Sequence, residues 1–192
     1  MSPPNDPLHW LETERHQPGG SRVAFQRQLQ DCHADLVSVA GIVAGRIVPV
    51  TEAFLEADSH AARQAIMGDV EIDRRCERLE EACFLMLARQ SPVAGDLRHI
   101  VAMLRSIADV QRSGDLLRHV ATSLAWVHPP SMGAELRDMV SSLGTVSGEV
   151  FAGAVDAWQT EDALAAVDLQ RHDDAVDLLQ KSLLTELYTG QQ

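Results

Sequence analysis

Several things that mark common protein classes are scarce in this chain. Of 192 residues one is tyrosine, three are tryptophan and four are phenylalanine, and a single lysine, Lys181, stands against fifteen arginines. Sixteen basic side chains face twenty-eight acidic ones, a formal net charge of −12. That balance makes nucleic acid a poor partner unless the fold gathers a basic face. The three cysteines, Cys32, Cys76 and Cys83, are odd in number and form no CxxC. On one helix Cys76 and Cys83 would lie ~10 Å apart, beyond disulfide reach. They read as reduced core thiols of a cytosolic protein. The longest nearly apolar stretch, residues 36–45, is about half of the ~20 residues a membrane span needs. Residues 1–21 lack the apolar centre of a secretory signal, so a cytoplasmic location is expected. No P-loop, HExxH, GxSxG or kinase signature occurs.

What remains is helical periodicity. Residues 1–21 hold four of the eight prolines and a Gly-Gly pair, and read as a disordered tail. From Arg22 to about Ala57 the apolar positions Phe25, Leu29, Cys32, Leu36, Val39, Val43 and Val50 recur at threes and fours, broken only by Arg46. Pro49 should kink this first helix. Asp58-Ser59 is a start signal for a second helix from about His60 to Arg89. Ser91-Pro92 reads as an N-cap with proline at the first position of a third, running to about Val127. Asp96 lies in its first turn, where the helix dipole favours an acid. His128-Pro129-Pro130-Ser131 is a break. A fourth helix follows to about Gln159, and Thr160-Glu161-Asp162 caps a fifth that ends near Tyr188. The expected fold is all-α, an antiparallel helical bundle.

Sliding the chain over itself by 104 residues exposes a repeat. Ser38 falls on Ser142, Ala53 on Ala157, Asp58 on Asp162, Asp69 on Asp173, Asp73 on Asp177 and Leu79 on Leu183. The shared register of apolar and acidic positions marks a duplication. Three parts are expected: the tail over 1–21, a three-helix repeat over 22–128, and a second repeat of two helices over 129–192. The counterpart of the third helix would begin near position 197.

Polar residues on the apolar seams are the candidate site. Steps of three and four along the second helix give Ile66, Asp69, Asp73, Cys76, Glu80, Cys83 and Leu87. Along the third they give Leu97, Ile100, Leu104, Ile107, Gln111, Gly114 and Ala121, with Asp109 and Asp115 beside Gln111. Antiparallel packing would bring Gln111 and Asp115 near Asp69 and Asp73. A core carboxylate needs a partner. Two partners are open: a hard or borderline cation such as Mg, Fe, Mn or Zn, or salt bridges to Arg74, Arg75, Arg78 or Arg112. Arg98, Arg105 and Arg112 recur every seven residues and form a stripe for an acidic partner or an anion. The alternative is a solvated face paired with glutamates of the second helix. Asp96-Leu-Arg-His99 is the nearest thing to a ferritin-like ligand motif, and Cys83 with His119 the nearest to a nucleophile–base pair.

The stretch from Ile72 to Ala121, and above all Gln90-Ser-Pro-Val-Ala-Gly-Asp-Leu-Arg98, resembles the PhoU family of phosphate-signalling regulators, whose pattern there is Q-x-P-V-A-x-D-L-R. The likeness runs more weakly from about Phe25 to Tyr188, and is nearest to the actinobacterial branch. The resemblance implies a PhoU-like tandem of three-helix bundles, here without the sixth helix. It implies a cytoplasmic adaptor that is no enzyme, couples a phosphate ABC transporter ATPase to a sensor histidine kinase, and represses the phosphate-starvation response. Some members carry metal clusters on paired E(D)xxxD motifs. Asp69-x-x-x-Asp73 matches one such motif, its partner reads Gln111-x-x-x-Asp115, and Asp173-x-x-x-Asp177 matches the first motif of the second repeat. Asp96, Arg98, Arg105 and Arg112 are the expected partner-binding residues.

Two other functional classes fit parts of the sequence: a metal-binding ferritin-like helical enzyme, and a dimerising helical module without transporter coupling. The apolar seams of the last two helices (Met139, Leu143, Val146 and Val150; Leu169, Val176, Leu183 and Leu187) lack a third helix to cover them. A homodimer closed through this second repeat is therefore expected.

Overall fold

The computed structural model describes residues 18–124 and 132–189. Among the described residues there are five helices: α1 (Pro18–Glu56), α2 (Ser59–Gln90), α3 (Ala94–Ser123), α4 (Ala134–Thr160) and α5 (Ala165–Thr189). Of the tail expected over residues 1–21, residues 1–17 lie outside the described residues, as does the His128–Ser131 break, while 18–21 are helical and belong to α1 instead. Each helix lies where the periodicity places it. α1 begins four residues before the expected Arg22 and runs through Pro49 without a break.

α1 is the central helix. It packs on α2, α3 and α4, while α5 packs on α4. Its whole expected seam, Phe25, Leu29, Cys32, Leu36, Val39, Val43 and Val50, is buried. Facing it are Ile72, Cys76, Leu79, Cys83 and Met86 of α2, and Ile100, Met103, Ile107 and Val110 of α3. Each large aliphatic side chain taken fully from water contributes about 1.5–3 kcal/mol. Two seam positions need correction. Glu80 is exposed, because the buried line of α2 runs through Leu79 and Met86 instead. Leu97 is 40% exposed, since α3 turns its inner face to the core only from Ile100 onward.

α1 is also, by length and composition, apolar enough to cross a membrane. The longest uninterrupted apolar run understates this, because it stops at Arg46 while Ile47, Val48 and Val50 continue the apolar character beyond it. In this fold the helix packs on three neighbours.

The 104-residue register recurs in backbone detail. At the end of α1, Ala57 takes a left-handed conformation (φ 56°), the Asp58 N–H donates to Ala53 O at 2.9 Å, and the Asp58 carboxylate accepts from the N–H groups of His60 and Ala61. At the end of α4, Glu161 is left-handed (φ 54°), the Asp162 N–H donates to Ala157 O at 2.9 Å, and the Asp162 carboxylate accepts from Leu164 and Ala165. The two turns coincide residue for residue at an offset of 104. Capping by backbone N–H groups, Ala61 first, holds the Asp58 carboxyl below its usual range.

α1 and α4 run antiparallel and pack closely. Gly144 faces Thr51, Gly148 faces Val48, and Trp158 stacks on His33. The approach is close: a Cβ on Gly144 would stand 2.6 Å from Thr51 Cγ2. Arg137 at the start of α4 donates to the Leu55 carbonyl at 2.6 Å, satisfying an end of α1 that has no basic residue of its own.

Candidate functional site

Antiparallel packing of α2 and α3 assembles the expected acidic residues. Asp69 is 3% exposed, the buried charged residue among those described. Gln111 Nε2 donates to Asp73 Oδ1 at 3.2 Å, so the two E(D)xxxD-like stretches do meet. The neutralising group differs from those expected. Arg118, one turn beyond Asp115, places Nε 2.7 Å from Asp69 Oδ2 and Nη2 2.5 Å from Asp115 Oδ1. Arg74 and Arg78 instead bridge Glu71, and Arg75 reaches Asp35 on α1 at 3.9 Å. Burial, Asp73 and Asp115 push the Asp69 carboxyl up, against the pull of Arg118. Asp115 above all holds the Arg118 guanidinium above its ordinary value.

The donor set as arranged does not match a metal centre. Among the described residues no three His, Cys, Asp or Glu side chains stand together in a way that could hold a metal ion. The guanidinium occupies the space between two of the carboxylates, and Gln111 offers a third carboxylate an N–H. In the second repeat, Asp173 and Asp177 are both exposed on α5.

The remaining expected residues separate into anchored and open ones. The Gln90–Arg98 element forms the α2–α3 turn. Ser91 ends α2 in the left-handed region (φ 44°) and does not cap α3, whose N-cap is Val93; Ala94 is left-handed too (φ 49°). Asp96 is half-buried and accepts from Gln26 of α1 at 3.1 Å, so it ties this turn to the central helix. Arg98, Arg105 and Arg112 are exposed and make no ion pair among the described residues. Pairing with glutamates of α2 does not occur.

The two catalytic-looking combinations come apart. His99 does not act with Asp96; its Nε2 lies 3.3 Å from His33 Nδ1. Cys83 is fully buried, with its thiol pushed up to about 12 by burial and by Cys32. His119 lines a groove with Thr51 and Phe54 near the other end of α1, some 22 residues or about 33 Å from Cys32 along the helix.

Sequence reasoning missed two features. Arg118 was legible as an i, i+3 partner of Asp115. The second is a cluster at the joint of the repeats: His33 of α1, His99 of α3 and Trp158 of α4, with His33 and Trp158 stacked at 5.9 Å. Glu161 and Asp162 join it around an open cavity of about 440 Å³. No local signal joins residues so far apart in sequence.

Known proteins resemble this chain over most of its length. The family profile described as the PhoU domain matches residues 36–124. The phosphate-specific transport system accessory protein PhoU homolog 1 of Mycobacterium leprae is 34% identical over 167 residues, covering 86% of this chain and 75% of the relative. PhoU homolog 2 of Mycobacterium tuberculosis shows the same identity over 86% of this chain and 78% of its own. The crystal structure of PhoU from Pseudomonas aeruginosa matches with a TM-score of 0.80 at 29% identity, over 86% of this chain and 79% of that one. The phosphate transport system regulatory protein PhoU from Streptococcus pneumoniae, at 21% identity and a TM-score of 0.77 over 85% and 77% of the two chains, shares the fold. With about a third of the aligned residues identical to PhoU relatives, of which three quarters or more is covered, and a common helical architecture, the chain belongs to the PhoU family.

Proposed function

We propose that the chain is a non-catalytic accessory regulator of a phosphate-specific transport system. In this reading it works in the cytoplasm and binds the transporter's ATPase subunit and a sensor histidine kinase. It restrains the phosphate-starvation response while phosphate is plentiful. The names of the relatives support the link to phosphate transport.

The observation that carries the docking role is the outer face of α3. Arg98, Arg105 and Arg112 stand there about 10.5 Å apart in succession, and Leu97, Val101 and Leu116 are exposed along the same helix. Guanidinium groups without carboxylate partners beside bare apolar side chains suit a partner with acidic and apolar residues. On a chain of net charge −12, one basic stripe also orients that partner. Arg105→Glu is expected to weaken binding of the ATPase subunit or the kinase at least about tenfold, roughly 1.4 kcal/mol, and to leave melting unchanged. Undiminished binding to both would remove the stripe from the reading.

The second repeat adds a proposed homodimer. In the first repeat α3 covers both α1 and α2. On α5 no described residue is buried, and Leu178, Leu184 and Tyr188 are exposed. A second copy, offering the same α4–α5 face, covers this one by two-fold symmetry.

A further inference from the structure

The Asp69 carboxylate sits where an uncompensated negative charge is costly, and Asp73 and Asp115 add repulsion to the cost of burial. A cation has to be present, and the chain supplies one. The Arg118 guanidinium bridges Asp69 and Asp115 through two different nitrogens, at 2.7 and 2.5 Å. Two features hold the arrangement closed. A methyl group on Gly114 would stand 3.1 Å from Asp69 Oδ1, so the carboxylate is seated against the α3 backbone. Gln111 holds Asp73 through its N–H at 3.2 Å, which turns that acid toward a hydrogen-bond donor.

We propose that Arg118 is the resident cation of this acidic site, occupying the place that the family resemblance gives to a metal cluster, and that the first repeat binds no metal ion while Arg118 is present. The reasoning is one of exclusion by charge and space. A divalent ion needs several oxygen ligands converging on one point at about 2.0–2.6 Å. Two of the available carboxylates already converge on a guanidinium, which cannot be deprotonated to make way. Removing Arg118 would leave three mutually repelling carboxylates and a carboxamide around the vacated space. That set suits a hard or borderline divalent cation such as Mn²⁺.

The experiment is equilibrium dialysis of the full chain against Mn²⁺, with melting followed in parallel, for wild type, Arg118→Ala and Arg118→Lys. Wild type and Arg118→Lys are expected to retain no Mn²⁺ above background. Arg118→Ala is expected to melt lower without metal, to bind one Mn²⁺ per chain at least about tenfold more tightly than wild type, and to regain melting temperature when it is added. Stoichiometric Mn²⁺ binding by wild type that Asp73→Ala abolishes would overturn the proposal. So would an Arg118→Ala protein that neither loses stability nor gains metal. If Arg118→Ala does not fold, the dialysis of wild type and Asp73→Ala still decides the matter, and Arg118→Lys tests whether any resident cation suffices.

Discussion

Gly144 offers a direct test of how α4 is joined to α1. In an isolated helix, glycine to alanine is favourable by about 1 kcal/mol, because alanine loses less backbone entropy. At position 144 the new Cβ would lie 2.6 Å from Thr51 Cγ2 and 2.8 Å from Thr51 Cβ, against ~3.5–4.0 Å for a comfortable carbon contact. Thr51 cannot swing aside. It is β-branched, and its hydroxyl donates to the Ile47 carbonyl at 2.9 Å. The helices must therefore part by about 1 Å, at an overpacking cost of roughly 1–3 kcal/mol. Set against the propensity gain, Gly144→Ala is expected to cost up to about 2 kcal/mol, with a melting temperature lower by a few degrees, given ~2–4 °C per kcal/mol at this size. In a Thr51→Gly background the obstruction is gone, and the same substitution should stabilise by about 1 kcal/mol. A cycle of four proteins, unfolded in urea, should thus show coupling of ~1–3 kcal/mol. Gly41→Ala, at an exposed position of α1 with nothing within 4 Å of the new Cβ, is the control and should gain about 1 kcal/mol. Equal effects of Gly144→Ala in both backgrounds would refute the close α1–α4 approach.

Burial and the His99 imidazole hold His33 below its ordinary value of 6.5, with Glu161 opposing, and Asp162 lines the same cavity. The unfolded chain therefore binds the proton more readily, and stability should fall as the pH drops from above 6.5 toward the lowered folded value; melting curves of His33→Phe should lack that component. Burial pushes the Cys76 thiol up to about 11 and Cys83 to about 12, and raises Cys32, so native protein at pH 8 should resist iodoacetamide while the urea-unfolded chain takes three equivalents; rapid labelling of the native protein would contradict the described core. Leu183, half-buried on α5, tests the homodimer: sedimentation should show a dimer at tens of micromolar that Leu183→Glu converts to monomer, and a wild-type monomer would dismiss it.

Helix positions and the α1 seam were legible in sequence because amphipathic periodicity and the Asp58 and Asp162 caps are local signals. So was the approach of Gln111 to Asp73, since antiparallel neighbours joined by a short turn leave little choice of register. The identity of the counter-ion was not. Asp69 accepts from whichever cation the packing delivers, and Arg118 looks as good from sequence as Arg74 or Arg112 until the helix faces are set. Glu80 was misplaced for a related reason: steps of four and steps of three diverge by a fraction of a turn over thirty residues, enough to trade Glu80 for Leu79. The His33–His99–Trp158 cluster lay beyond sequence reasoning, because its members come from three helices and from both repeats. The arginine stripe was visible, but its lack of partners was not.

The central claim, that this chain restrains the response to phosphate starvation, is tested most directly by deleting its gene and following a phosphate-starvation promoter in phosphate-rich medium. The account predicts strong expression in the deletion strain, restored to the repressed level by the wild-type gene and not by the Arg105→Glu form. Unchanged repression in a deletion strain with no second PhoU-family gene would contradict it.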